Sequence, residues 1–407
     1  MNRSLFFAVN YGSALAAGGI QFLAMTWFAR SLAPSDYSLL AWTFSLFPHY
    51  LLLVDMGLQS ELVRRFAIAN PHERERLRAE ALGIRLLVAG TSLLVFGVQA
   101  FVAGIGLMHA SATASFLLSL FPAAYLYTAE AEGFAAHLVL RTVLMRCARL
   151  AGFALCLLVH ILLLARPHVL EPTALFTLCA AYPLAWLGVL MAFYVSKPKQ
   201  GENAVSLRAS FDARRLGALA SSCKEYVTAF GFSWVANAFF LVGITRQFGE
   251  GSLAGYFFAQ TLCVPIALAL QVLSSMTIAG KAHPLAWAGT FVATVCYGAL
   301  LAFTPLIAFA SGAQVAAAAK IQIPWLLPAH LLMTIGGILG VRLFASGRKA
   351  IVWISTASSV PVFLVCWLVF AARPELRALV PAGADFLVTF SVPFLILFTA
   401  HTKAGRA

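Results

Sequence analysis

Long apolar runs alternate with short charged connections along the whole chain. Eleven runs of 16 or more residues contain no Asp, Glu, Lys or Arg: 4–29, 37–54, 86–129, 150–165, 172–196, 226–245, 251–280, 282–319, 321–341, 350–372 and 386–402. The run 86–129 is too long for one crossing and is interrupted by Gly104, Gly106 and His109, so it reads as two. Each of the resulting twelve is near or above the ~20 residues a helix needs to cross a ~30 Å hydrocarbon core. The pattern predicts an all-α polytopic membrane protein with 12 transmembrane helices. Composition agrees: 61% of residues are hydrophobic and 11% charged, against roughly 25% charged in a soluble domain.

The net charge of +13 is laid out by side. With the N-terminus placed inside, Arg3, the arginines from Arg64 to Arg85, Arg141, Arg146, Arg149 and most of the remaining Lys and Arg fall on one face. Arg30, Arg166, Arg246, Lys320, Arg373 and Arg377 fall on the other, a split of 22 to 6. By the positive-inside rule both termini are expected in the cytoplasm. The same distribution gives no basic patch for nucleic acid. Seven cysteines lie scattered, without metal-ligand or redox spacing.

The most polar segment, 196–215, falls at the midpoint. The expected organisation is an N-terminal six-helix lobe (1–196), a cytoplasmic linker (197–215) and a C-terminal six-helix lobe (216–407). Residues 64–80 are expected as an inner connection with a turn at Asn70-Pro71. Residues 29–46 and 245–262 align weakly at a shift of 216, placing Arg30 on Arg246 and Leu46 on Leu262. Prolines recur as well: Pro48, Pro122 and Pro183 in the first half, Pro265, Pro328 and Pro393 in the second. Parallel six-helix repeats are a transporter plan, with the site between the halves.

The block Phe28-Ala29-Arg30-Ser31-Leu32-Ala33-Pro34-Ser35-Asp36-Tyr37, followed by Asp55-Met56-Gly57-Leu58 and Arg64-Arg65, resembles the start of the polysaccharide transporter family. These are the Wzx-type oligosaccharide flippases of the multidrug/oligosaccharidyl-lipid/polysaccharide (MOP) flippase superfamily. Ala33 and Ser38 stand where that family usually has glycine, and Asn237 near where many members have aspartate. The resemblance implies a MATE-like fold of two lobes in a bacterial cell inner membrane. It implies transfer of undecaprenyl-diphosphate-linked oligosaccharide, an O-antigen or exopolysaccharide repeat unit, from the cytoplasmic to the periplasmic leaflet by alternating access. It brings two candidate protein partners, a polysaccharide polymerase and a chain-length regulator, beside membrane lipid and the polyprenyl-diphosphate-linked glycan itself. The alternatives are a multidrug or solute cation antiporter of the same superfamily, and a non-transporting component of a polysaccharide assembly complex.

A diphosphate headgroup crossing an apolar core needs cations and hydrogen-bond donors around it, and the planar fork of arginine suits phosphate. The substrate-binding candidates for a cationic cavity are Arg30, Arg64, Arg85, Arg141, Lys224, Arg246 and Arg342. Acids at membrane depth are rarer. Asp55, Glu61 and Glu130 are the candidates for a coupling ion, and Glu61 is also spaced to pair with Arg64 or Arg65. Aromatic residues that could stack on sugars are Trp27, Trp42, Tyr50, Tyr125, Tyr127, Trp234 and Tyr256; interface belts use the same residues. Coupling by an acid is not obligatory. An inside-negative potential favours outward movement of negative charge by ~2.3 kcal/mol per charge per 100 mV. Neither a Walker motif nor paired histidine spacing occurs, so the expectation is a transporter and not an enzyme, with no cofactor, metal or nucleic acid.

Overall fold

The computed structural model describes residues 3–55, 58–103, 105–136, 138–164, 171–195, 313–373, 375 and 382–404, with short pieces at 216–217, 221, 254–262, 273, 288–289, 291–292 and 295–296. Among these residues the chain is helical. The helices are α1 (Arg3–Ser31), α2 (Pro34–Asp55), α3 (Leu58–Ile68), α4 (Pro71–Ala103), α5 (Leu107–Leu117), α6 (Leu120–Ala136), α7 (Val139–Leu164) and α8 (Glu171–Val195). After the midpoint come α9 (Ala313–Ala345), α10 (Lys349–Ala357), α11 (Ser359–Ala372) and α12 (Ala382–Ala404). Six runs among the described residues are long and apolar enough to cross a membrane: Asp36–Asp55, Pro71–Phe101, Leu107–Ala136, Leu140–Leu163, Leu175–Val195 and Val315–Gly337. The predicted linker 197–215 and the predicted crossing at 226–245 lie outside the described residues.

Helix boundaries depart from the charge-free runs in an orderly way. The connection expected at 64–80 is almost wholly helical, because α3 continues to Ile68 and α4 starts at Pro71. A reciprocal cap makes this start: the Glu73 N–H donates to Asn70 Oδ1 at 2.9 Å, and the Asn70 N–H donates to Glu73 Oε2 at 3.0 Å. That pairing satisfies two otherwise orphaned donors, and Pro71 at the first helical position lacks the N–H that would have needed a third. The break expected near Gly104 and Gly106 is present between α4 and α5. A second break falls at Leu118 and Ser119, four and three residues before Pro122. Proline cannot donate to the carbonyl four residues back and crowds it. The Ser119 hydroxyl donates to the Phe116 carbonyl at 2.7 Å there, a bond that bends helices further. The α10–α11 break at Ser358 repeats the recipe, with Pro361 three residues on and the Ser358 hydroxyl donating to the Ser355 carbonyl at 2.6 Å.

The chain forms two compact units. The first comprises Met1–Ala24 and Leu46–Val227, the second Met25–Ser45 and Thr228–Ala407. Within the first, α7 packs on α6 and α8, α5 on α8, and α3 and α4 on α6. Its apolar core is aromatic. Tyr182 and Trp186 of α8 meet Phe47 of α2 at centroid distances of 5.6 and 5.2 Å, and Tyr182 meets Phe116 of α5 at 4.4 Å and Phe153 of α7 at 5.4 Å. Such pairs add ~0.5–1.5 kcal/mol each beyond the area they bury. Within the second unit α9, α10 and α11 pack on α12, around Leu339, Leu343 and Leu397.

One glycine positions the polar centre of the first unit. A Cβ on Gly133 would lie 2.7 Å from Arg141 Cβ and 2.9 Å from the Thr142 backbone nitrogen. The C-terminal turn of α6 therefore touches the start of α7 backbone to backbone, and Glu130 and Glu132, just before Gly133, reach the arginines of α7.

A buried arginine–carboxylate lattice as the candidate functional site

Arg85 of α4 is completely buried. Burying an unpaired guanidinium is very costly, so its neighbours are dictated. Its Nη2 donates to Asp55 Oδ1 at 2.8 Å and to Gln59 Oε1 at 3.2 Å, and its Nη1 donates to Thr128 Oγ1 at 2.9 Å. The guanidinium also lies 5.3 Å from the centroid of the Tyr127 ring, within cation–π range. Asp55 has a second duty, because the same Oδ1 accepts the Gln59 backbone N–H at 3.0 Å and so caps the start of α3. One side chain thus joins the end of α2 to α3, α4 and α6.

A second layer is built on α6 and α7. Arg146, also buried, pairs with Glu130 at 3.1 Å and donates to Asn10 Oδ1 of α1 at 3.0 Å and to the Thr142 carbonyl. Its guanidinium is 5.9 Å from the centroid of the Phe134 ring. Glu132 faces elsewhere, since residues two apart on a helix point to opposing sides. It takes Arg78 of α4 at 2.7 Å and pairs with Arg141 of α7. Among the described residues the lattice brings together four guanidiniums (Arg78, Arg85, Arg141, Arg146) and three carboxylates (Asp55, Glu130, Glu132). At the Glu132 corner lies a small, open cleft, lined among others by Arg78, Arg141, Tyr125, Phe193 and Tyr194.

On α3, Glu61 binds Arg64 at 2.7 Å and Arg65 at 2.8 Å, the local pairing its spacing predicts. Burial pushes the Glu61 carboxyl upward. The hydrogen bonds and charges of the two arginines outweigh that effect and hold it below the ordinary carboxylate range.

The sequence candidates therefore fall into groups. Asp55, Arg85, Glu130 and Arg141 come together in the lattice, whereas Glu61 and Arg64 form a separate pair. Arg30 is exposed in the last turn of α1 and Arg342 in the last turn of α9. Lys224 and Arg246 lie outside the described residues. All three coupling-ion candidates hold arginines: Asp55 with Arg85, Glu61 with Arg64 and Arg65, Glu130 with Arg146. Of the aromatic candidates, Tyr125 lines the cleft. Tyr50 and Tyr127 are buried, Tyr50 donating to Gln99 Oε1 at 2.6 Å, and Trp234 lies outside the described residues. Arg78, Arg146 and Asn10 are members that sequence reasoning did not single out. Among the described residues no group of three His, Cys, Asp or Glu side chains could hold a metal.

No protein-family profile matches the chain, and no curated protein sequence matches it. Solved structures do match, over nearly all of it. The eukaryotic MATE transporter AtDTX14 superposes with a TM-score of 0.63 at 16% identity, covering 98% of this chain and 95% of that one. The lipid II flippase MurJ, in an inward closed conformation, gives 0.63 at 11% identity, covering 97% and 87%. A MOP superfamily transporter from Pyrococcus furiosus, described as having a binding pocket of reversed polarity, gives 0.61 at 12% identity, covering 98% and 95%. At these identities the likeness is one of fold, and the fold of this chain is that of the MOP superfamily transporters.

Proposed function

We propose that the protein is a flippase for polyprenyl-diphosphate-linked oligosaccharide, moving its cargo from the cytoplasmic to the periplasmic leaflet without changing a covalent bond. The observation that carries this reading is the pairing of a MOP transporter fold with cationic polar chemistry. Among the described residues, Asp55, Glu61, Glu80, Glu130 and Glu132 are all held by arginines. With those acids occupied and a net charge of +13 along the chain, the polar chemistry suits an anionic headgroup better than a cationic drug. The fold accommodates both cargo types, since its solved neighbours include MATE transporters and a lipid II flippase.

On this reading two six-helix lobes, 1–196 and 216–407, alternate access in a bacterial inner membrane. Arg30, Arg64, Lys224, Arg246 and Arg342 are the cations that meet the headgroup along its route. Arg85 acts through the fold. A polymerase and a chain-length regulator are the proposed partners on the periplasmic side. Because a diphosphate of about two charges gains roughly twice ~2.3 kcal/mol per 100 mV on leaving a negative interior, the membrane potential alone suffices to drive export.

The test is the purified full-length chain in proteoliposomes carrying a fluorescent polyprenyl-diphosphate sugar. Protein-dependent exposure of the label to an impermeant quencher is expected. Exposure no faster than in protein-free vesicles, across several sugar headgroups, would count against a flippase.

A further inference from the structure

The corner of the second unit where α9 ends, α10 begins and α12 ends carries cations that these helices cannot neutralise. In the first unit seven arginines pair with carboxylates. Here the sequence has no Asp or Glu from Gly251 to Pro374, and none from Phe386 to Ala407. Arg342, in the last turn of α9, and Arg348, just before α10, are both exposed. Backbone bonds fix the turn between them. The Ser346 N–H donates to the Arg342 carbonyl at 3.0 Å, and the Arg348 N–H donates to the Leu343 carbonyl at 2.9 Å. Gly347 supplies the left-handed residue that this turn needs, at a φ of 81°. The three helix ends are held together by one apolar cluster: Leu343 of α9 and Leu397 of α12, with Ile351 and Val352 of α10 and Ala400 of α12 packed against them. The sequence adds Lys349 as the first residue of α10, and His401 and Lys403 in the last turn of α12. α10 also starts without a side-chain cap, which leaves N–H donors of its first turn to an outside acceptor.

We propose that this corner binds the phosphate of an anionic phospholipid, with Arg342 and Arg348 as its cationic contacts. The level is that of a headgroup. Arg342 stands five residues past the apolar window Val315–Gly337 of α9, about 7.5 Å along a helix. Arg348 precedes the apolar helix Ala350–Cys366 by two residues, and Lys403 directly follows the apolar helix Leu387–Thr402. Three apolar segments thus end at one corner, and the cations stand just beyond them. The charge bias predicts that this end faces the cytoplasm. A guanidinium fork donates two bonds to phosphate and keeps its charge, and basic residues next to membrane segments attract anionic lipid. A zwitterionic lipid has the same phosphate but brings its own cation, so the corner should prefer phosphatidylglycerol to phosphatidylcholine. The chemistry is that proposed for Arg342 on the cargo's route, but the ligand here is resident lipid. Its binding is read without transport, so the two readings fail separately.

Native mass spectrometry of the full-length chain in neutral detergent tests it, titrating dioleoyl phosphatidylglycerol against dioleoyl phosphatidylcholine. The wild-type protein should bind the phosphatidylglycerol more tightly. Arg342→Gln and Arg348→Gln should each cut that preference about fivefold, the worth of one basic residue at an anionic surface, and the double variant should lose more than either. Arg373→Gln, at an exposed surface pair with Glu375, should leave it unchanged. Excess inorganic phosphate should displace the lipid poorly. Equal binding of the two lipids by the wild-type protein overturns the proposal, and so does a double variant that keeps the full preference. Inorganic phosphate that displaces phosphatidylglycerol as readily as short-chain phosphatidylglycerol does also overturns it, since that marks a site for a free anion. Both arginines are exposed, so the variants should melt like wild type without added lipid. If either does not, the salt dependence of the wild-type protein decides. The preference should collapse as salt is raised, and a preference indifferent to salt would contradict an electrostatic contact.

Discussion

Replacing Arg85 with methionine should cost ~3–5 kcal/mol, the usual penalty for removing one member of a buried ion pair, and should abolish recovery of folded protein in detergent. The volume change is small, so packing alone predicts little. The loss comes from what Arg85 leaves behind. Asp55 keeps its charge in a nearly closed site but loses the Arg85 guanidinium that lay 2.8 Å from it, and Gln59 and Thr128 lose their shared donor. Relief should come from removing the acid as well. Arg85→Met with Asp55→Asn should be more stable than Arg85→Met alone, by an amount a double-mutant cycle on thermal midpoints reads directly. The rescue should be partial: an asparagine Oδ1 can still accept the Gln59 N–H, but Gln59 Oε1 and Thr128 Oγ1 remain without the Arg85 donor. Additive losses in that cycle would show that the two groups do not depend on one another.

Gly255→Val should be as damaging to the second unit. A Cβ at residue 255 would lie 2.3 Å from Ala318 Cβ, 2.5 Å from the Ala318 carbonyl carbon and 2.6 Å from the Ala319 nitrogen. The last two atoms are helix backbone, so relief requires α9 to move as a body. Even Gly255→Ala should exceed the ~1–3 kcal/mol typical of an overpacked core, and valine should eliminate folded protein. Ala318→Gly removes the nearest contact and leaves the two backbone ones, so it should rescue Gly255→Ala only weakly. Thermal unfolding followed by size-exclusion fluorescence checks both. A Gly255→Val protein melting within a few degrees of wild type would contradict the close approach of segment 254–262 to α9.

The positions of the helices were largely legible in the chain, because lipid tolerates few charges and the charge-free runs, where described, are helical apart from the breaks near Gly106, Leu118 and Ser358. Their ends were not. α7 begins at Val139, well before the charge-free run starting at Leu150, and it carries Arg141, Arg146 and Arg149 as helical residues. Arginines continue a helix as readily as leucines do, so a charge marks the edge of the hydrocarbon and not the end of the helix. The local pair of Glu61 with Arg64 and Arg65 could be read from its spacing. The lattice could not, since its partners stand far apart in sequence: Asp55 and Arg85 by 30 residues, Arg78 and Glu132 by 54, Asn10 and Arg146 by 136. A usable hint was the Glu130-Ala131-Glu132 spacing, which aims two rare acids at opposite sides of one helix and so calls for cations on two neighbours.

The most direct measurement of the central claim sets two cargoes against each other in the same vesicles. Proteoliposomes would hold a labelled polyprenyl-diphosphate oligosaccharide in one leaflet and an entrapped cationic dye, under a clamped diffusion potential. Protein-dependent movement of the glycan lipid toward the positive side is expected, faster as the potential grows, with the dye retained. Export of the dye against a proton or sodium gradient, with the glycan lipid left in its starting leaflet at every potential, would contradict it.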